Sequence, residues 1–113
     1  MPTIKYDQPS FSGDEAVAEA RRIYSLETAA KPLPSERDQN FLLTTASGER
    51  FVLKISNAVD DPQVLDLQNQ ALMRLAALAP HLALPRVQPT RDSAAIITLP
   101  DARSTAHPVQ LLT

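Results

Sequence analysis

Two alternating segments, Asn40-Phe41-Leu42-Leu43-Thr44-Thr45 and Phe51-Val52-Leu53-Lys54-Ile55, flank a short link, Ala46-Ser47-Gly48-Glu49. So short a connection between two period-two segments points to an antiparallel hairpin, and Gly48 can take the positive backbone angle the turn needs. Alternation in the second segment sets Phe51, Leu53 and Ile55 on one face and Val52 and Lys54 on the other. A lysine is therefore aimed from a sheet face. Taken by itself, such a lysine is a solvated side chain on a half-exposed strand.

The rest of the chain supplies partners for this hairpin. Ser12-Gly13-Asp14-Glu15 has the form of a capping box, with Phe11 placed to staple against Ala16. Ala16, Val17, Ala20, Ile23 and Tyr24 then recur at helical spacing, predicting a helix from the Ser12 cap to about Leu26. Extended segments are expected over 28–33, with Pro32 and Pro34 as edge-like punctuation, and over 39–45 and 50–56. Asp61-Pro62 opens a second helix through residue 79, carrying Val64, Leu65, Gln68, Ala71, Leu72, Leu75 and Leu78. Short strand-like segments follow at 84–90, 94–99 and 109–112, the latter two separated by a polar stretch over 101–108. This order predicts an α+β fold: a five-stranded antiparallel sheet covered by the second helix, plus the N-terminal helix. Residues 1–11 are expected to be a loosely attached arm and 12–113 one domain, as a length of 113 residues suggests. The apolar run Val109-Gln110-Leu111-Leu112 has no closing turn or cap behind it, so the expectation is a fragment of a longer polypeptide. Its free edge would pair with a second copy.

Composition narrows function by exclusion. Eleven basic residues against thirteen acidic ones leave a net charge of −2, no footprint for nucleic acid or an acidic membrane surface. With no cysteine, disulfides, thiol catalysis and cysteine-ligated metals are excluded. The N-terminal sequence lacks the apolar run of a secretory signal and no stretch is long enough to span a bilayer, so the expected location is cytoplasmic. His81 and His107 are isolated and make no metal site. Glu15, Glu19 and Glu27 are solvated charge on the first helix. Asp60, Asp61, Asp66, Asp92 and Asp101 are expected on a helix cap, its surface or loops.

Three pieces remain, in a set order: the polar turn Ser35-Glu36-Arg37-Asp38-Gln39-Asn40-Phe41, the strand Gly48-Glu49-Arg50-Phe51-Val52-Leu53-Lys54-Ile55-Ser56-Asn57, and the helical run from Gln68 to Leu75. Together they resemble the small N-terminal lobe of the aminoglycoside phosphotransferase and choline kinase family, of protein-kinase-like fold, and within it the hydroxylysine-kinase-like branch. Some relatives there are fused to class-III aminotransferases. The resemblance implies ATP beneath the sheet, Val52 as a roof for the base and Lys54 at the phosphates. It makes the Ser35 to Asn40 turn a phosphate flap and Gln68, expected on the sheet-facing side of the helix, the positioning partner of the lysine. Where most such kinases have a glutamate, the Gln68 amide can hydrogen-bond Lys54 without neutralising it.

Phosphoryl transfer in this fold also needs an H-x-D catalytic aspartate and a magnesium-holding aspartate in a D-x-D or D-F-G motif. Neither motif occurs, so no catalytic residue and no metal ligand is expected within these 113 residues, and the chain is expected to stop at the start of the hinge. Two functions follow. In the first, this is the ATP-binding lobe of a small-molecule kinase that uses ATP and magnesium and phosphorylates a small hydroxylated amine or amino acid. In the second, it is a non-catalytic interaction or regulatory module of a larger protein.

Overall fold

A computed structural model describes residues 8–113. Helix α1 (Gly13–Tyr24) starts at the Ser12 capping box. The Ser12 hydroxyl accepts from the Glu15 amide, and the Glu15 carboxylate accepts from the Ser12 amide. The helix ends two residues before Leu26, where Ser25 takes the left-handed conformation at φ 57° and its amide closes back on the carbonyl of Ala20. Strands β1 (Thr28–Leu33), β2 (Gln39–Thr45) and β3 (Arg50–Ile55) form an antiparallel meander, with Gly48 at φ 91° in the β2–β3 turn. Helix α2 (Pro62–Leu78) follows with Asp61 as its cap. Then come β4 (Val87–Gln88), β5 (Ile97–Pro100) and β6 (Ala106–Leu112).

The sheet has six strands, not five, in the order β1-β2-β3-β6-β4, with β5 also paired to β6. The difference arises at β6, whose far edge takes two short strands end to end: Ile97 to Pro100 pair with Val109 to Ala106, and Val87 and Gln88 pair with Leu112 and Leu111. Its start lies three residues before Val109, inside the stretch expected to be a polar connection. His107 and Pro108 hide it from a pattern search, yet both are buried. Val109 to Leu112 is consequently no free edge, being bonded to β3 on one side and to β5 and β4 on the other. The self-pairing expected there has no open backbone to use.

The layering also departs from expectation. Phe41, Leu43, Phe51, Leu53, Ile55, Val109 and Leu111 form the buried face of the sheet, and α1 closes it with Ala16, Ala20, Ile23 and Tyr24. Helix α2 buries only Leu65 and Asn69 and packs against β4 at the sheet's side, so the covering helix is α1. Two apolar stripes on α2 explain the ambiguity. Leu65, Asn69, Leu72 and Ala76 turn inward, while Val64, Leu67, Leu75 and Leu78 remain exposed. Residues 1–7 of the expected arm lie outside the described residues. Its remainder is docked rather than loose: Phe11 is buried, and its amide and carbonyl both bond the Gln39 side chain at 2.8 Å.

Candidate functional site

The alternation expected along β3 is the one observed, with Phe51, Leu53 and Ile55 buried and Val52 and Lys54 half-buried on the opposite face. Register then decides what surrounds the lysine. Asn40 of β2 is its partner on one side and Gln110 of β6 on the other, and side chains directly opposite in antiparallel strands leave the sheet on the same face. One step along, Val52 is flanked by Leu42 and Leu112. The face therefore carries a polar row, Asn40, Lys54 and Gln110, beside an apolar row, Leu42, Val52 and Leu112.

Hydrogen bonding on this face is incomplete. Gln110 is 6% exposed, and its Oε1 is buried without a partner, as is Oδ1 of Asn40. Buried amide oxygens are normally satisfied, so two open ones at the register positions on either side of Lys54, which donates to neither, are unused acceptors on this face. Among strand residues sharing this face, Lys31 and Arg50 add positive charge and no carboxylate occurs. Such a surface, apolar in one row and cationic in the next, suits a flat ring joined to an anion. No group of three or more His, Asp or Glu able to hold a metal ion occurs among the described residues.

The turn between β1 and β2 is braced toward the end of β3. Asn57 donates to the Arg37 carbonyl at 3.0 Å, and the Arg37 guanidinium meets Asp60 at 3.3 Å. The Ser35 hydroxyl donates to the Asp38 carboxylate within the turn. Ser35 is thus engaged locally, while Asn40, Val52 and Lys54 are brought together on the open face.

Gln68 is not among them. The structure turns it to solvent and buries its neighbour Asn69 at 2% exposure, because α2 packs through the Leu65, Asn69, Leu72 stripe, about 100° around the helix from Gln68. Sequence reasoning also missed Gln110, whose signal was one amide interrupting an apolar run at the register position of the lysine. It missed His107 and Asp101 as a pair. His107 is fully buried, with Nε2 2.9 Å from Asp101 Oδ2 and Nδ1 3.0 Å from the Ser56 carbonyl. Asp101 is buried rather than a surface loop residue, and spacing alone carries no sign of the contact.

Comparison with known proteins adds one likeness. A hydroxylysine kinase of Danio rerio is 34% identical over 88 residues, which are 74% of this chain and 25% of that protein. The chain thus spans about a quarter of the length of that relative. The likeness supports a kinase-like relationship. No protein-family model matches the chain, and no solved structure matches it.

Proposed function

We propose that this chain is the nucleotide-binding lobe of an ATP-dependent phosphotransferase whose acceptor is a small hydroxylated amine or amino acid. The observation that carries the reading is Lys54: it sits on the third strand, just before a helix, on a face lined by amides and apolar side chains and without a carboxylate. A third-strand lysine followed by a helix is the phosphate-orienting arrangement of kinases, and the likeness to a hydroxylysine kinase points the same way.

In this reading Lys54 binds and orients phosphate oxygens, and Leu42, Val52 and Leu112 receive the base. The turn from Ser35 to Asn40 covers the phosphates and helps to exclude water. When bound, ATP supplies the phosphoryl group for transfer, with magnesium offsetting its charge. Groups that activate an acceptor and hold magnesium are to be sought elsewhere in the complete enzyme.

Calorimetric titration with ATP tests the reading. Lys54→Ala should weaken binding at least tenfold and leave the unfolding midpoint nearly unchanged; undiminished affinity would remove Lys54 from the site.

A second reading, a non-catalytic interaction or regulatory module, is favoured by the outward stripe of α2, where Leu67 is 66% and Leu78 78% exposed. In that case Lys54→Ala leaves partner binding intact, whereas Leu67→Glu abolishes it.

A further inference from the structure

We infer that the segment ahead of α1 is a strap that fixes the β1–β2 turn, with Gln8 and Arg103 as its positioning residues. What the fixed turn does for a phosphate-bearing ligand rests on the nucleotide reading above; the strap itself does not. Residues 34–38 join the two strands, and among the described residues no backbone hydrogen bond links one of them to another. Pro34 to Arg37 are exposed, so beyond the Ser35–Asp38 contact the turn depends on side chains that reach it from outside. Two of them take adjoining carbonyls: Gln8 Nε2 donates to Glu36 at 2.7 Å and Asn57 Nδ2 to Arg37 at 3.0 Å. A trans peptide sets each N–H opposite the preceding C=O, so holding these two carbonyls also fixes the direction of the Arg37 and Asp38 amides. Backbone amides are the groups by which such a turn can face an anion.

The two holds differ in what stands behind them. Asn57 is fully buried just beyond β3, an anchor set by the core. Gln8 is only half-buried and is itself held from the β5–β6 turn, where Arg103 Nη2 donates to its carbonyl at 2.6 Å. Arg103 is steadied by Asp101 at 3.3 Å, and Asp101 by the buried His107. At the other end of the strap Pro9 and Phe11 are buried, and the Gln39 side chain clasps the Phe11 backbone. With its backbone tied at both ends, Gln8 can hold the turn rather than follow it. The β5–β6 turn thus acts on the β1–β2 turn without touching it.

Two measurements on the same variants test the inference. Nuclear relaxation of the Arg37 and Asp38 amides in the ligand-free chain reports the hold directly. Their order parameters should stand near the rigid value of about 0.85 in the wild type and fall below about 0.6 in Gln8→Met, which keeps the length but loses the donor. The unfolding midpoint should barely move, and Gln8→Lys, which restores a donor, should restore the order. Arg103→Met should loosen the same two amides although Arg103 does not touch the turn. Amides as rigid in Gln8→Met as in the wild type would overturn the strap; loosening there but not in Arg103→Met would overturn the part given to Arg103. Affinity for ATP reads the consequence, and Gln8→Met should weaken it about fivefold, the worth of one such bond. Unchanged affinity with a loosened turn would overturn the link between strap and site. A wild-type chain whose amides loosen in Gln8→Met but which binds no ATP would support the strap and overturn the nucleotide reading.

Discussion

His107 and Asp101 form a buried pair across the β5–β6 turn, with Nε2 2.9 Å from Oδ2, and neither side chain is exposed to solvent. The Ser56 carbonyl only accepts, so His107 Nδ1 is a donor there, and Nε2 is the ring nitrogen that faces the carboxylate. Asp101 Oδ1 also takes the backbone amides of Arg103 and Thr105. The pair thereby ties the β5–β6 turn to the end of β3, two residues beyond Lys54. Removing the carboxylate strands a buried imidazole, so Asp101→Ala should cost about 3–5 kcal/mol in urea unfolding.

The same pair predicts an acid limb in stability. Burial alone pushes the Asp101 carboxyl up, but bonds from His107, the Arg103 and Thr105 amides and the Arg103 side chain outweigh it, and the group is held below the usual carboxylate range. A depressed folded value means a contribution present above about pH 3.9, the unfolded value, and lost as pH falls through the lower folded one. Asp101→Asn should lack this limb. Urea midpoints measured from neutral to strongly acid pH check it, and parallel curves for the two proteins would refute the assignment.

Tyr24 predicts a loss at the other end of the scale. Its hydroxyl is buried on α1 without a partner, and burial raises its pKa from 10.0 to about 12. Because the folded state keeps this proton longer than the unfolded chain, the native state is favoured below pH 10 and loses that advantage between 10 and 12. Two units correspond to about 2–3 kcal/mol. Tyr24→Phe should flatten that decline and, by removing an unsatisfied hydroxyl, leave neutral-pH stability equal or higher by about 1 kcal/mol.

Local chemistry was legible in the sequence wherever short-range rules decide the outcome. The Ser12 box, the Asp61-Pro62 start and the Gly48 turn need only their own neighbours, and Phe51 to Ile55 announces its faces by alternation. What failed depended on distant partners. Gln68 and Asn69 both border apolar stripes of α2, and only the packing of that helix at β4 selects between them. Gln110 acquires meaning from being opposite Lys54, and His107 from Asp101 and Ser56, contacts with no local signature.

Gln39 predicts how the N-terminal segment is held. Its amide nitrogen donates to the Phe11 carbonyl and its oxygen accepts from the Phe11 amide, both at 2.8 Å, where Phe11 meets the His107 ring edge-on at 6.3 Å. Gln39→Ala should cost about 1–3 kcal/mol for the two bonds. Hydrogen exchange at the Phe11 amide should accelerate far more than in β3. Equal acceleration in both places would mean global destabilisation rather than release of the segment.

The orientation of α2 makes the last prediction, because two adjacent residues exchange roles with it. Gln68 is exposed, so Gln68→Ala should change stability by less than about 0.5 kcal/mol. It should also leave ATP affinity as it was. Asn69 is 2% exposed with its Nδ2 unpartnered, so Asn69→Asp places a carboxylate where burial raises its pKa. The cost should be about 2–4 kcal/mol at neutral pH and shrink as acid neutralises the group. Urea unfolding at two pH values and one ATP titration per variant decide the matter. A tenfold loss of ATP affinity in Gln68→Ala with Asn69→Asp silent would mean that the helix is rotated by about 100° and that Gln68 reaches the lysine after all.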